Sequence, residues 1–398
     1  VVTNSEILIE RRGTAGIITL NRPAALNAVT RTMVRAIAEA LERWRNDDAV
    51  TRVIVMAAPG RAFSAGGDLR HIYELGRTGR QSEALEFWRE EYLLNAAIKH
   101  YPKPYVALID GIVMGGGVGV SVHGSHRVAG DRFQFAMPEV GIGFFPDVGA
   151  TWFLPRLPGE LGTWCALTGD RLAAADAVAA GVATHRVASA RFAELTEALT
   201  GAVPVDAMLA AFAEPVPSPS PPAGQGRGGG SGGLGTEVPD IAGPTPDPSP
   251  QGGGETKRTP TTPLAEPTPI ASRRAVIDRL FAGTSVEAIL AALDSETGPD
   301  AEFARSTAAA IRTKAPMSLK IALAQMRRGS ALSFADCMRT EFRIVSRVAY
   351  GEDFYEGIRA VIVDKDNRLR WHPAMLAEVT PEMVEGYFAP LAAELGLP

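Results

Sequence analysis

The sequence predicts an α/β layered fold, and three observations carry that expectation. Short β-branched apolar runs alternate with amphipathic helical segments over the first half of the chain. Two glycine-rich turns directly follow two of the apolar runs, and beyond about residue 158 helical patterns dominate. A Pro/Gly/Ser/Thr-rich tract at 214–272 interrupts the pattern. The chain therefore divides into an α/β core at 1–213 that carries the functional site, an insert at 214–272, and a helical region at 273–398 packing on the core.

Taken in order, Glu6–Glu10 and Gly16–Leu20 are β-branched runs separated by a short polar stretch, which reads as a hairpin. Thr30 is placed to cap a helix that puts Met33, Ile37, Leu41 and Trp44 on one face. There follow a buried strand at 52–58, a helix near 82–99, a strand at 105–109, a helix at 116–123 and a strand at 126–129. The 214–272 tract, with Pro217–Pro222 and Gly228–Gly233, has too little apolar surface to offset the entropy of ordering it and is expected to be a disordered linker. Closing such a loop costs free energy that grows only logarithmically with its length, so its flanks should still pack as one unit.

Composition narrows the functional class. A chain of 398 residues with 46% hydrophobic content can fill a large core, and a formal charge of -5 without a basic block argues against a nucleic-acid partner. No stretch approaches the ~18 apolar residues of a membrane span. The two cysteines, Cys165 and Cys337, lie in apolar helical contexts without metal spacing, which reads as buried free thiols in a reducing cytosol. His123 and His126 lack a third ligand at useful spacing, so no metal is expected.

Two glycine turns hold the candidate chemistry. Gly111–Gly119 follows the apolar run Tyr105–Ile109, and three consecutive glycines let a ligand lie against backbone at the start of a helix, where N–H groups are unpaired. Gly60–Asp68 leaves the strand at 52–58. If the N–H groups of Ala65 and Gly116 converge, they form a two-donor oxyanion hole, each donor being worth roughly 3 kcal/mol of barrier. Asp68, at the end of the first loop, is the structural acid, tying loop to helix.

The pair Phe63-Ser-Ala-Gly-Gly-Asp68 and Asp110-Gly-Ile-Val-Met-Gly-Gly-Gly117, with Leu20–Pro23 and Leu26–Ala28 upstream, resembles the crotonase (enoyl-CoA hydratase/isomerase) superfamily. Further stretches at Arg89–Tyr92, Phe135–Glu139, Gly143–Gly149, Phe153–Leu157, Ser318–Lys320, Asp353–Gly357 and Arg359–Asp366 resemble its thioester-hydrolase branch. The likeness covers nearly all of the chain except the insert. It implies a ββα spiral core and an acyl-CoA substrate, with coenzyme A entering as part of the substrate and no separate cofactor. Superfamily members commonly assemble through C-terminal helices, so a homo-oligomer is an open expectation.

Hydratases of the superfamily use two glutamates, at the positions occupied here by Gly119 and Glu139. The bare position 119 argues against water addition across a double bond and is expected to leave open space facing the acyl group. Asp147, on the turn Phe144–Val148, supplies a second carboxylate that the hydrolase pattern shares. Thioester cleavage needs an acid or base near the carbonyl and donors for its oxygen, so Glu139 fits the attacking or base role. By resemblance, Asp147 and Glu91 bind or orient a 3-hydroxyacyl group, Ala65 and Gly116 hold the thioester oxygen, and the activity is hydrolysis of short branched 3-hydroxyacyl-CoA. Asp147 alone could simply cap a helix at 148–155, a role compatible with substrate contact, and Glu91 alone would read as part of a solvated face. The alternatives are isomerisation or hydration of an enoyl-CoA, and non-catalytic binding of CoA esters or a partner. Aromatics Phe144, Phe145 and Trp152 read as core.

Overall fold

The computed structural model describes residues 2–215 and 269–397. These residues form one compact unit in which the segments on both sides of 216–268 pack together. Nearly all of the tract expected to be disordered lies outside the described residues. Its end is an exception: a helix runs over Pro269–Leu280, so the last residues of 214–272 are helical.

Two sheets organise the core. The larger contains β1 (Val2–Asn4), β2 (Ile7–Arg12), β3 (Ala15–Leu20), β4 (Arg52–Ala57), β6 (Tyr105–Ile109), β8 (His126–Ala129) and β11 (His185–Arg186), in that spatial order. The smaller runs β10 (Leu172–Ala173), β9 (Gln134–Ala136), β7 (Ile112–Met114), β5 (Ala62–Ser64). The hairpin β2/β3 is antiparallel, whereas β3, β4, β6, β8 and β11 pair in parallel. Each turn of the chain gives one strand to the large sheet and the next to the small one: β4 then β5, β6 then β7, β8 then β9. This alternation is the ββα spiral expected from the resemblance. Gly111 makes one such crossing with φ +106°, where a Cβ would sit 2.4 Å from the Arg61 carbonyl oxygen.

Both faces of the large sheet are covered, which explains why its parallel strands read as unbroken apolar runs. Ala107 and Ile109 of β6 join the main core, and Val106 and Leu108 join a second one with Leu195, Leu199, Leu209 and Phe212. Helix α1 (Arg31–Arg45) begins at Thr30, whose hydroxyl accepts from Met33 N at 3.2 Å, and buries Met33, Ile37, Leu41 and Trp44. Helix α2 (Leu69–Arg77) is capped by Asp68, which accepts from His71 N and from Arg22. Helix α3 (Gln81–Lys99) follows, then the single turn α4 (Gly116–Gly119), shorter than the helix expected at 116–123. Helices at Pro316–Gly329 and Phe334–Val348 pack their buried side chains into the same main core.

Candidate active site

A cavity of about 430 Å³ is lined by Ala65, Gly66, Gly67, Glu91, Gly115, Gly116, Glu139 and Asp147, so every residue singled out for the site borders one space. Its other walls are Phe87, Trp88 and Phe144 on one side and Thr313, Lys314, Val361, Ile362, Asn367 and Leu369 on another. Trp88 stacks on Phe144 with centroids 5.7 Å apart, and Phe354 backs both rings.

The acids come from three elements. Glu91 lies on α3, Glu139 opens the 3-10 turn Glu139–Ile142 after β9, and Asp147 sits on the loop before the short helix Ala150–Phe153. Glu139 faces the glycine turn: its Oε1 is 3.3 Å from where a Cβ of Gly115 would stand. A methyl at Gly116 would sit 2.6 Å from Glu91 Oε1 and 3.3 Å from Gly67 N, so only glycine at 116 lets the carboxylate and the opposite backbone come this close. The acids are 2%, 6% and 4% exposed in that order, and no ion pair neutralises any of them among the described residues. Glu91 Oε1 and Glu139 Oε2 are buried without a hydrogen-bond partner among those residues. Such atoms are costly unless a ligand or water completes them.

Burial first, and then the neighbouring charge of Asp147, hold Glu91 and Glu139 well above the ordinary carboxylate range. Burial also pushes Asp147 up to about 7, although the Tyr92 hydroxyl, donating at 2.9 Å, opposes the rise. Three carboxyls in one low-dielectric site cannot all ionise together, so the cluster keeps a store of protons near neutral pH.

Two expectations need correction. The N–H of Ala65 is already committed to the Leu26 carbonyl at 3.0 Å. Gly67, two residues on, has no acceptor for its N–H among the described residues and borders Gly116 across the cavity. The facing amides are therefore those of Gly67 and Gly116. The reason is the bridge between Val29 and Gly67, which uses Gly66 O and Asp68 N and leaves the intervening N–H outward. Position 119 is also not open space: a Cβ there would meet Asn95 Nδ2 at 2.7 Å and Val148 Cβ at 2.9 Å. The alternative role of Asp147, capping the following helix, is not taken up: the N-cap is Gly149, with no side-chain bond.

The turn bearing Asp147 is held from a distance. Glu341 accepts from Gly149 N at 2.7 Å and Thr151 N at 2.8 Å, and Gln325 donates to Pro146 O and Thr151 Oγ1. His123 donates from Nε2 to Val148 O at 2.7 Å, and burial pushes its pKa down to about 4, keeping the ring neutral. Val148 itself sits at φ +52°, a conformation that costs a β-branched residue roughly 1–3 kcal/mol and persists only when its surroundings enforce it. Glu341, Gln325 and Tyr92 escaped the sequence reading. Tyr92 adjoins Glu91 in a matched stretch and could have been found, but the other two have no local signal. Phe144, read as core, belongs to both core and cavity wall.

Cys165 and Cys337 are buried free thiols. No group of three potential metal-binding side chains occurs among the described residues, and no described helix is long and apolar enough to cross a membrane.

A curated relative from Xenopus tropicalis, named 3-hydroxyisobutyryl-CoA hydrolase, mitochondrial, is 40% identical over 98% of this chain and 90% of its own length. One of the same name from Danio rerio is 41% identical over 97% and 90%. Among solved structures, a carnitinyl-CoA dehydratase from Mycobacterium thermoresistibile matches with TM-score 0.81 and 40% identity over 99% of both chains. An enoyl-CoA hydratase from Rhodobacter sphaeroides matches with TM-score 0.79 and 35% identity over 99% of this chain and 100% of its own. The mitochondrial names of the curated relatives overturn the cytosolic expectation. Buried thiols suit any reducing compartment, so cysteine usage held no information between cytosol and mitochondrion. The family model for enoyl-CoA hydratase/isomerase matches residues 15–226 and 254–388, and with a spiral of paired sheets enclosing facing glycine amides, the chain belongs to the enoyl-CoA hydratase/isomerase family.

Proposed function

We propose that this protein is an acyl-CoA thioester hydrolase that cleaves 3-hydroxyisobutyryl-CoA to 3-hydroxyisobutyrate and coenzyme A, a step of valine breakdown. The observation that carries the reading is the placement of Glu139 against the Gly115–Gly116 turn, with Asp147 beside it and position 119 closed by Asn95 and Val148. The full-length likeness to relatives of that name supports it.

The thioester carbonyl oxygen takes the place between Gly67 N and Gly116 N, and these donors stabilise the charge that develops on it. Glu139 acts from the fraction that is ionised despite its raised pKa, and either accepts a proton from the attacking water or attacks the carbonyl carbon itself. In the first course water oxygen bonds to carbon, the C–S bond breaks, and the proton held by Glu139 goes to the departing thiolate. In the second a carboxylate oxygen of Glu139 bonds to the carbonyl carbon, the C–S bond breaks and CoA leaves as thiolate, giving an acyl anhydride. Water then cleaves the anhydride, its oxygen going to one carbonyl carbon, so that 3-hydroxyisobutyrate is released, the Glu139 carboxylate is restored and a water proton passes to the thiolate. Glu91 and Asp147 hold the substrate's 3-hydroxyl, their protonated and ionised forms offering both donor and acceptor. The two amides hold the developing charge and Glu139 handles the proton or the attack, so the scheme requires neither metal nor cofactor. Single turnover in ¹⁸O-water, followed by mass spectrometry of the Glu139 peptide, separates the courses, because the anhydride course can leave label in the protein.

The names of the solved relatives favour a second reading, reversible water addition to an enoyl-CoA. Against it stands the lack of an acid at 119 and of room for one. Thiol release from 3-hydroxyisobutyryl-CoA measured beside loss of enoyl absorbance from crotonyl-CoA decides between them. Hydrolysis without hydration is expected, and hydration without thiol release would overturn the proposal.

A further inference from the structure

A second cavity, of about 400 Å³, opens at the other end of β6. It includes Tyr105, the first residue of that strand, and shares no lining residue with the first cavity among the described residues. Its lining contains Lys99, Lys103, Arg127 and Arg156 and, among the described residues, no aspartate or glutamate. In a chain of formal charge -5, this is a local concentration of positive charge without counter-charge among the described residues.

Most of these cations have structural employment. Arg127 donates to the carbonyls of Gly124, Gly181 and Val182, and Arg156 to those of Trp152, Gly329, Ser330 and Leu332. Lys103 donates to the carbonyls of Trp44 and Asp47. These contacts fix the side chains in place but do not neutralise them. Lys99 differs: its ammonium lies 3.9 Å from the ring centroid of Trp152, with neither carbonyl nor carboxylate bonded to it among the described residues. Burial, then Arg127 and Arg156, hold its pKa below the ordinary lysine range. Like charges gathered in a partly desolvated hollow repel one another, and an anion entering it would gain from all of them while relieving that cost.

We propose that this cavity is a second binding site, separate from the reaction site, for an anion of the diphosphate class. Four cations exceed what a single carboxylate needs, and the volume exceeds that of one phosphate group. Carbonyl-anchored guanidinium groups present fixed charge, and Lys99 supplies the mobile donors. Either free inorganic diphosphate or the diphosphate of a nucleotide satisfies this chemistry.

The test is titration calorimetry on the full chain with inorganic diphosphate and with ADP, using the wild type, Lys99→Gln and Lys99→Arg, alongside steady-state thioesterase kinetics. Saturable diphosphate binding is expected, weakened at least tenfold in Lys99→Gln and kept within threefold in Lys99→Arg, with turnover of both variants unchanged when no anion is added. Lys99-dependent binding of ADP tenfold tighter than diphosphate assigns the site to a nucleotide, and equal affinities assign it to free diphosphate. No saturable heat at millimolar diphosphate, equal affinity in Lys99→Gln, or inhibition purely competitive with the thioester would overturn the proposal.

Discussion

Replacing Asp147 by asparagine removes one negative charge from the cavity while keeping an oxygen for the Tyr92 hydroxyl, which donates to Asp147 Oδ2 at 2.9 Å. Burial pushes Asp147 from 3.8 up to about 7. Below pH 3.8 the group is protonated folded and unfolded alike. Between 3.8 and about 7 the folded state keeps a proton that the unfolded chain has released, so folding stability falls as pH rises through this window and levels off above it. At about 1.4 kcal/mol per pH unit, roughly 2–3 kcal/mol of that loss develops between pH 5 and pH 8.5. The amide of Asp147→Asn does not titrate, so the variant escapes this loss. Its Tm relative to wild type should therefore be higher at pH 8.5 than at pH 5, by several degrees at about 2 °C or more per kcal/mol. Scanning calorimetry at fixed ionic strength and scan rate measures the difference. Parallel Tm profiles would refute the argument, because they would mean Asp147 titrates alike in both states. A gap that narrows with pH would refute it more strongly.

Other consequences follow from the same geometry. Glu139→Gln should lower kcat by about 100-fold or more while CoA-ester binding stays measurable by calorimetry; unchanged turnover would remove Glu139 from the chemistry. Gly116→Ala drives a methyl to 2.6 Å from Glu91 Oε1, beside the Gly67 amide, and should cost about 10²–10³ in kcat, with the fold checked by circular dichroism. Gln325→Leu strips donors from Pro146 O and Thr151 Oγ1 and should destabilise by about 1–3 kcal/mol while lowering kcat more than it raises KM, read from denaturant midpoints and kinetics. Replacing 217–267 by a short Gly/Ser linker should leave thioesterase activity within about twofold, since the flanking residues share one compact unit.

What the sequence discloses follows the range of the interactions involved. The hairpin, the Thr30-capped helix and the strands at 52–57 and 105–109 rest on local periodicity and caps, and the structure has them within a residue or two of the expected bounds. Glu139, Asp147 and Glu91 are singled out because each lies in a stretch that resembles the family. Glu91 has no signal of its own, since its charged helix reads as a solvated face; in the structure all three border one cavity. Which amide of the first glycine loop points into the cavity was not legible, because the bridge between Val29 and Gly67 decides it and turn residues alone do not. Position 119 was misjudged for a related reason. A glycine in sequence looks like a gap, but here Asn95 on α3 and Val148 on a distant loop fill it. Glu341 and Gln325 were out of reach altogether, as each contacts residues more than 170 positions away.

Those distant contacts divide the labour within the site. All three acids and both facing glycine amides come from residues before 150, yet one cavity wall, Thr313, Lys314, Val361, Ile362, Asn367 and Leu369, comes from residues after 300. Burial is the first cause of the raised pKa of each acid, and that wall is part of what buries them. Glu341 and Gln325, from the same late part of the chain, fix the turn on which Asp147 stands. The early part thus supplies the carboxyls and the facing amides, and the late part contributes to their burial and fixes the turn on which Asp147 stands. Substitutions in the late wall that admit water should move the acidic limb of kcat/KM toward lower pH even where no altered residue touches the thioester, because solvating the carboxyls restores their ordinary range.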